Sequence, residues 1–236
     1  MSSRMKRRFA AEANVVDFQP YLPQKQRYNV RPRNKNQARY LKELEDDTKN
    51  IVFAIGLAGT GKTILGVQHG IRMLQAGNIS KIVITRPAVS VDEELGFLPG
   101  TLNEKMAPWA RPIMDVFLDY YQQRNINRML EEGIIEISPL AYMRGRTFHD
   151  SYIVFDEAQL CTTSQMKMAL TRLGENSKMV VTGDLAQADR GTNNGLYDFI
   201  NRLEDHSTPR ISIVRFTVND IERHPVVQDV LNIYGE

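Results

Sequence analysis

The sequence predicts a doubly wound α/β domain, with a mostly parallel sheet and helices on both faces. Two observations lead there. Six short segments rich in β-branched residues, at 51–55, 81–85, 134–137, 152–155, 178–182 and 211–214, are mostly apolar throughout rather than alternating. That pattern belongs to strands covered on both faces. Amphipathic stretches at helical spacing lie between them, so strand and helix alternate along the chain. In such a sheet the ligand site lies beyond the carboxyl ends of the strands.

Before the first strand, residues 1–42 hold a disproportionate share of the Arg and Lys, with Pro20, Pro23 and Pro32 interleaved and little apolar periodicity before Ala38. We read residues 1–35 as a basic, largely irregular arm, on composition a solvated tail rather than a dedicated RNA-binding one. Residues 36–236 read as one domain. After the first strand, Ile64, Val67, Ile71 and Leu74 recur at helical spacing, and Gly77 is placed to end that helix. Residues 95–132 form the longest stretch without a strand, and Pro99, Pro108 and Pro112 indicate an inserted loop followed by one helix. Residues 165–173 give a further helix closed by Gly174, with Thr163 or Ser164 as its N-cap.

Composition narrows the classes. With 236 residues, 42% of them hydrophobic and 25% charged, the chain is large enough to bury a sizeable core. Its longest apolar runs, such as 82–84 and 153–155, fall far short of the ~20 residues of a membrane helix. No apolar stretch follows Arg4, Lys6, Arg7 and Arg8 to serve as a secretory signal, so we expect no membrane association and no export. One cysteine, Cys161, cannot make an internal disulfide and reads as buried filler, which fits a reducing, cytoplasmic setting. A net charge of +2 is too mild to argue for nucleic-acid binding by itself.

The segment Gly56-Leu57-Ala58-Gly59-Thr60-Gly61-Lys62-Thr63 matches G-x-x-x-x-G-K-[ST], directly after a strand and directly before a helix. A glycine-rich turn matching by chance is the alternative, and the flanking strand and helix weigh against it. The glycines let backbone N–H groups converge on a β-phosphate, and the helix start adds its positive end. Lys62 would bridge the β- and γ-phosphates of ATP, and the Thr63 hydroxyl would ligate Mg²⁺. At the end of a hydrophobic strand, Asp156 would hold Mg²⁺ and Glu157 would polarise the attacking water as general base. These residues predict ATP hydrolysis rather than phosphate transfer to a metabolite, for which no acceptor pocket stands out.

Further blocks follow in order: Asp156-Glu157-Ala158-Gln159, then Val180-Val181-Thr182-Gly183-Asp184-Leu185-Ala186-Gln187. This order resembles superfamily 1 helicase-type motors. With Thr85-Arg86-Pro87-Ala88, Leu95-Gly96-Phe97-Leu98-Pro99-Gly100, the run 139–147 and Gln165-Met166-Lys167-Met168, the chain resembles the PhoH family of ATPases over about residues 35–234. The resemblance implies a RecA-like P-loop NTPase core, ATP hydrolysis, ring-shaped oligomers such as a hexamer, and a role in RNA metabolism. Some relatives fuse this domain to an amino-terminal PIN nuclease. The 35 residues before Asn36 are too few for that fold, so we expect no nuclease activity and leave a nuclease as a candidate protein partner.

The same resemblance carries roles to single residues. Gln187 is similar to the glutamine that senses the γ-phosphate and positions water. Gln37 resembles the glutamine that reads adenine ahead of the P-loop, a helix-surface glutamine being the plainer account. Arg223, in Asp220-Ile221-Glu222-Arg223-His224-Pro225, is similar to an arginine finger, with a surface ion pair as its competitor. The resemblance departs after Gln187, where Asp189-Arg190-Gly191-Thr192-Asn193-Asn194 lacks the family's proline and serine. Asp189 and Gly195-Leu196 remain, so the turn and the following helix are expected to persist.

Arg86, Arg144 and Arg146 lie just past predicted strands on the edge that carries the phosphate loop, with Tyr142 and Met143 beside the latter two. Arginines on the backbone with tyrosine stacking would suit single-stranded RNA. Pairing of these arginines with core carboxylates or with ATP phosphates is the alternative. Trp109 reads as a packing residue. The whole predicts an ATPase coupled to RNA handling and assembled as a homo-oligomer. Its rivals are a slow nucleotide-dependent switch or adaptor and a metabolite kinase.

Overall fold

The computed structural model describes residues 30–87, 102–187, 194–206, 208–222, 226 and 233, the side chains of 102–108 and 187 excepted. Six strands form one sheet in the order β3-β2-β4-β5-β1-β6, and every pairing is parallel. The strands are β1 (Ile51–Ile55), β2 (Lys81–Arg86), β3 (Ile135–Pro139), β4 (Ser151–Phe155), β5 (Lys178–Gly183) and β6 (Ile211–Arg215). All six correspond to the segments expected from apolar runs. Because all are parallel, their carboxyl ends share one edge, where the chain's loops gather. The crossover from β1 to β2 passes over β5 and β4, so β5 lies between the strand feeding the phosphate loop and the strand feeding the acid pair.

Alternation along each strand sends successive side chains to opposite faces. From β1, Val52 and Ala54 join a core built with α1 (Lys35–Glu45), α2 (Lys62–Gln75), α3 (Leu102–Leu118) and α4 (Gln123–Glu131). Ile51, Phe53 and Ile55 face the second core, with α5 (Thr163–Leu170) and α6 (Gly195–Asp205). Each fully buried Ile, Val or Phe contributes about 1.5–3 kcal/mol, which explains strands that are apolar throughout. The helix α2 lies close on the sheet: a Cβ built on Gly70 would come within 2.6 Å of the Tyr152 ring of β4. Trp109 packs against the first core, as expected of it.

Three expectations need correction. Residues 102–131 hold two helices rather than one, and α3 runs through Pro108 and Pro112. Each proline removes a helical hydrogen bond, but Ala110, Ile113, Val116 and Phe117 are buried on one face of α3. That burial outweighs the local preference. Residues 88–101, which include Pro99, lie outside the described residues. The cap of α5 is Thr162, not Thr163 or Ser164. Its hydroxyl accepts from Gln165 N, and Gln165 Oε1 accepts from Thr162 N at 2.9 Å. This reciprocal pair needs Gln at the third helical position, which fixes the register. The same helix ends at Leu170 with Thr171 as its C-cap, so Gly174 does not close it. Gly77, with φ +72, does follow the end of α2.

Candidate active site

The chain leaves β1 into the loop 56–61, where Gly56, Gly59 and Gly61 all have positive φ. Gly56 is fixed by space as well: a Cβ there would stand 2.6 Å from the Phe216 carbonyl oxygen. The loop closes around Lys62, which is buried and opens α2. Its Nζ donates to the carbonyls of Gly56 and Leu57, both at 2.6 Å, and to Thr60 Oγ1 at 3.3 Å. Burial pushes this ammonium below its ordinary value, opposed by the charges of Asp184, Asp156 and Glu157. A helix amino terminus with an ammonium beside it is an anion site.

Asp156 and Glu157 follow β4 directly. Asp156 Oδ1 accepts from the Thr63 hydroxyl at 2.9 Å and from the Thr182 hydroxyl of β5. A hydroxyl and a carboxylate brought together from the two sides of β5 are the hard oxygen donors that Mg²⁺ takes, so the residues present fit the ion. Glu157 has φ +52, an uncommon backbone state that clusters at functional sites. Its Oε2 accepts from Gln159 Nε2 at 2.5 Å, and its Oε1 lies 4.0 Å from Arg86 Nη2.

Lys62, Thr63, Asp156 and Glu157 border a cavity of about 630 Å³, whose lining also includes Val30, Pro32, Gln37 and Ile64. Gln37 is buried, its Nε2 donating to the Thr60 carbonyl at 3.1 Å and its Oε1 accepting from Arg33 N at 2.8 Å. It thus latches residues 30–33 to the phosphate loop. Beyond β6, Glu222 N donates to the Gly59 carbonyl at 3.0 Å, and Asp220 Oδ2 accepts from Asn36 Nδ2 at 2.7 Å. The segment leading to residue 223 is therefore pinned at the cavity rim.

A family model described as PhoH-like protein matches residues 29–235. The chain belongs to the PhoH family. The PhoH-like protein of Mycobacterium tuberculosis is 46% identical over 208 residues, covering 87% of this chain and 58% of that protein. The PhoH-like protein of Bacillus subtilis is 44% identical over 210 residues, covering 88% and 65%. Protein PhoH of Escherichia coli K12 is 43% identical over 207 residues, covering 86% and 57%. The chain thus spans under two thirds of the curated relatives it matches. Among solved structures, the large terminase from a thermophilic bacteriophage superposes with a TM-score of 0.52 at 13% identity, covering 84% of this chain and 48% of that one. At that identity the likeness speaks of the fold, which is of the RecA-like P-loop type.

For this PhoH-family chain, Gly56 to Thr63, Asp156, Glu157 and Gln37 come together on one sheet edge. Gln187 ends a single helical turn after β5, but its side chain lies outside the described residues, as does Arg223 entirely. Sequence reasoning missed Asp184, a buried residue in the cavity wall whose Oδ2 finds no hydrogen-bond partner among the described residues. Its signal was its place at the end of an apolar strand beside the P-loop strand. Thr182 was missed because only the fold brings β5 to Asp156, and Gln159 because its bond to Glu157, two residues away, depends on the turn Ala158–Leu160. Of the residues proposed for RNA, Arg86 ends β2 in register with Pro139 of β3, and Tyr142 and Arg144 are exposed beyond β3. Arg146 is otherwise engaged. Its guanidinium grips Glu136 with both amines and lies 4.5 Å above the Phe148 ring. The Arg146 hydrogen bond, with Lys81 helping, holds the Glu136 carboxyl below its usual range against the effect of burial. For Arg146, pairing with a core carboxylate is the account the geometry favours.

Proposed function

We propose that this chain binds ATP with Mg²⁺ and hydrolyses it to ADP and phosphate, in the cytoplasm and coupled to single-stranded RNA. The observation that carries the reading is the convergence of Lys62, Thr63, Asp156 and Glu157 on one cavity at the carboxyl edge of the sheet. Backbone N–H groups of the loop 56–61 and the start of α2 take the phosphates, and the Lys62 ammonium bridges the β- and γ-phosphates. Bound phosphate stabilises the charged form of Lys62 against its burial. Mg²⁺, held by Thr63 and Asp156, would neutralise charge on the phosphate oxygens. Glu157 takes a proton from water as the water oxygen bonds to the γ-phosphorus, and the bond to the bridging oxygen of ADP breaks. Gln187 is assigned to positioning that water.

RNA would bind across Arg86, Tyr142 and Arg144, a basic edge carrying one exposed aromatic ring. Arg86 also faces Glu157, so the surface proposed for RNA and the catalytic carboxylate share a side chain. Arg223 acts as an arginine finger, and in a ring of identical subunits it completes a neighbour's site. Full turnover by a monomer, independent of concentration, would rule out that last step.

A second reading, a slow nucleotide-dependent switch for a protein partner such as a nuclease, draws on the hydrogen bond that Gln159 already makes to Glu157 Oε2. Phosphate release measured with and without mixed-sequence single-stranded RNA separates the two. Stimulation that is lost in Tyr142→Ala and in Arg144→Ala supports RNA coupling. Slow turnover indifferent to RNA favours the switch.

A further inference from the structure

We propose that Gln159 is a positioning residue for hydrolysis: its amide aims the Glu157 carboxylate and ties it to the turn after β5. The proposal rests on the reading of Glu157 as general base. Gln159 is 2% exposed and sits in the single turn Ala158–Leu160. Its Nε2 donates to Glu157 Oε2 at 2.5 Å, and its Oε1 accepts from Asp184 N at 3.1 Å. Its own carbonyl accepts from Asn194 Nδ2 at 2.6 Å, while Asn194 Oδ1 caps α6 by accepting from Tyr197 N at 3.0 Å. One buried residue therefore joins the end of β4, the start of the turn carrying Gln187, and the first turn of α6.

Packing alone gives no reason for an amide here. A buried amide costs free energy unless both of its ends are bonded, and an apolar side chain of like size would fill the space. Both ends of Gln159 are bonded, and the donor is spent on the one carboxylate assigned to water. A glutamate side chain has three torsions to restrict. Arg86, at 4.0 Å, is too distant to fix them by a hydrogen bond. The Gln159 donor holds Oε2 and leaves Oε1 to receive the proton. Through Asp184, the same amide links the aim of the base to the turn that leads to the γ-phosphate-sensing glutamine.

The test measures phosphate release and the binding of a fluorescent ATP analogue in the full chain. Gln159→Glu keeps the size and the acceptor for Asp184 N but removes the donor. Gln159→Met removes both polar ends at similar volume and serves if the glutamate disturbs folding. We expect kcat to fall at least about tenfold, with affinity for the analogue kept within about twofold. In a Glu157→Gln background, Gln159→Glu should cause no further fall in residual turnover, because the residue acts through Glu157. An equal fall in that background, or a loss that follows analogue affinity, overturns the proposal. If wild type turns over and both Gln159 variants match it, this inference fails and the hydrolysis reading stands. If wild type releases no phosphate while binding the analogue, both fail.

Discussion

A single oxygen, Asp156 Oδ1, accepts from the Thr63 hydroxyl in the first turn of α2 and from a hydroxyl of β5. The carboxylate is thereby fixed in place before any metal arrives. Another buried polar group shows the opposite economy. His69, on α2, lies against Tyr152, and its Nδ1 has no hydrogen-bond partner among the described residues. Burial first, then the charges of Lys178 and Arg72, push its pKa from 6.5 down to about 3. The folded state therefore keeps His69 neutral while the unfolded chain protonates. Stability present above pH 6.5 is lost as pH falls toward 3, with a slope of up to about 1.4 kcal/mol per pH unit. Urea unfolding at pH 6.5 and pH 5 should show the wild type losing about 1.6 kcal/mol from this group, and His69→Leu should lose correspondingly less. Equal pH dependence in the two proteins would remove the assignment. At this scale the phosphate loop and the acid pair were legible, because short contiguous motifs encode them. Arg146 was not, because its partner Glu136 is ten residues away and meets it only once β3 and the following turn are built. Gln159 stands two residues from Glu157, but that its amide turns back onto the carboxylate is decided only by the turn Ala158–Leu160.

Elements were read well where periodicity was strong. All six strands were visible as apolar runs, because a parallel sheet buries both faces. The stretch after β2 was misjudged because its prolines were weighed without the buried face of α3, and the cap of α5 was placed at Thr163 or Ser164, one or two residues late, because three hydroxyls stand in a row at 162–164. How closely α2 would lie on β4 was not legible at all, and it sets a further prediction. Gly70→Ala adds about 1 kcal/mol of helix propensity. It also forces a Cβ to 2.6 Å from the ring of Tyr152, which is fully buried and cannot yield cheaply. Overpacking of this kind costs about 1–3 kcal/mol, so the sum is a loss of stability. Denaturant melts should show a lower midpoint with an unchanged slope. A rise would mean that the helix shifts outward without cost.

For the whole molecule, the decisive feature is that every strand ends on the same edge. The P-loop follows β1, Arg86 ends β2, the acids follow β4, Asp184 follows β5, and the Val218–Asp220 turn after β6 leads back to the loop. Residues 30–33 close the cavity from the amino-terminal side, a role that composition could not reveal in a segment read as an irregular arm. The central claim of the proposed function is that Glu157 activates the water that cleaves ATP. The most direct test incubates wild type and Glu157→Gln with ATP labelled at the γ-phosphate, with Mg²⁺, then identifies the nucleotide retained and the phosphate released. The account predicts that the variant binds ATP as the wild type does and retains it uncleaved, with release slowed about 10²–10⁴-fold. Wild-type rates of release from Glu157→Gln would contradict it and move the general base elsewhere in the cavity.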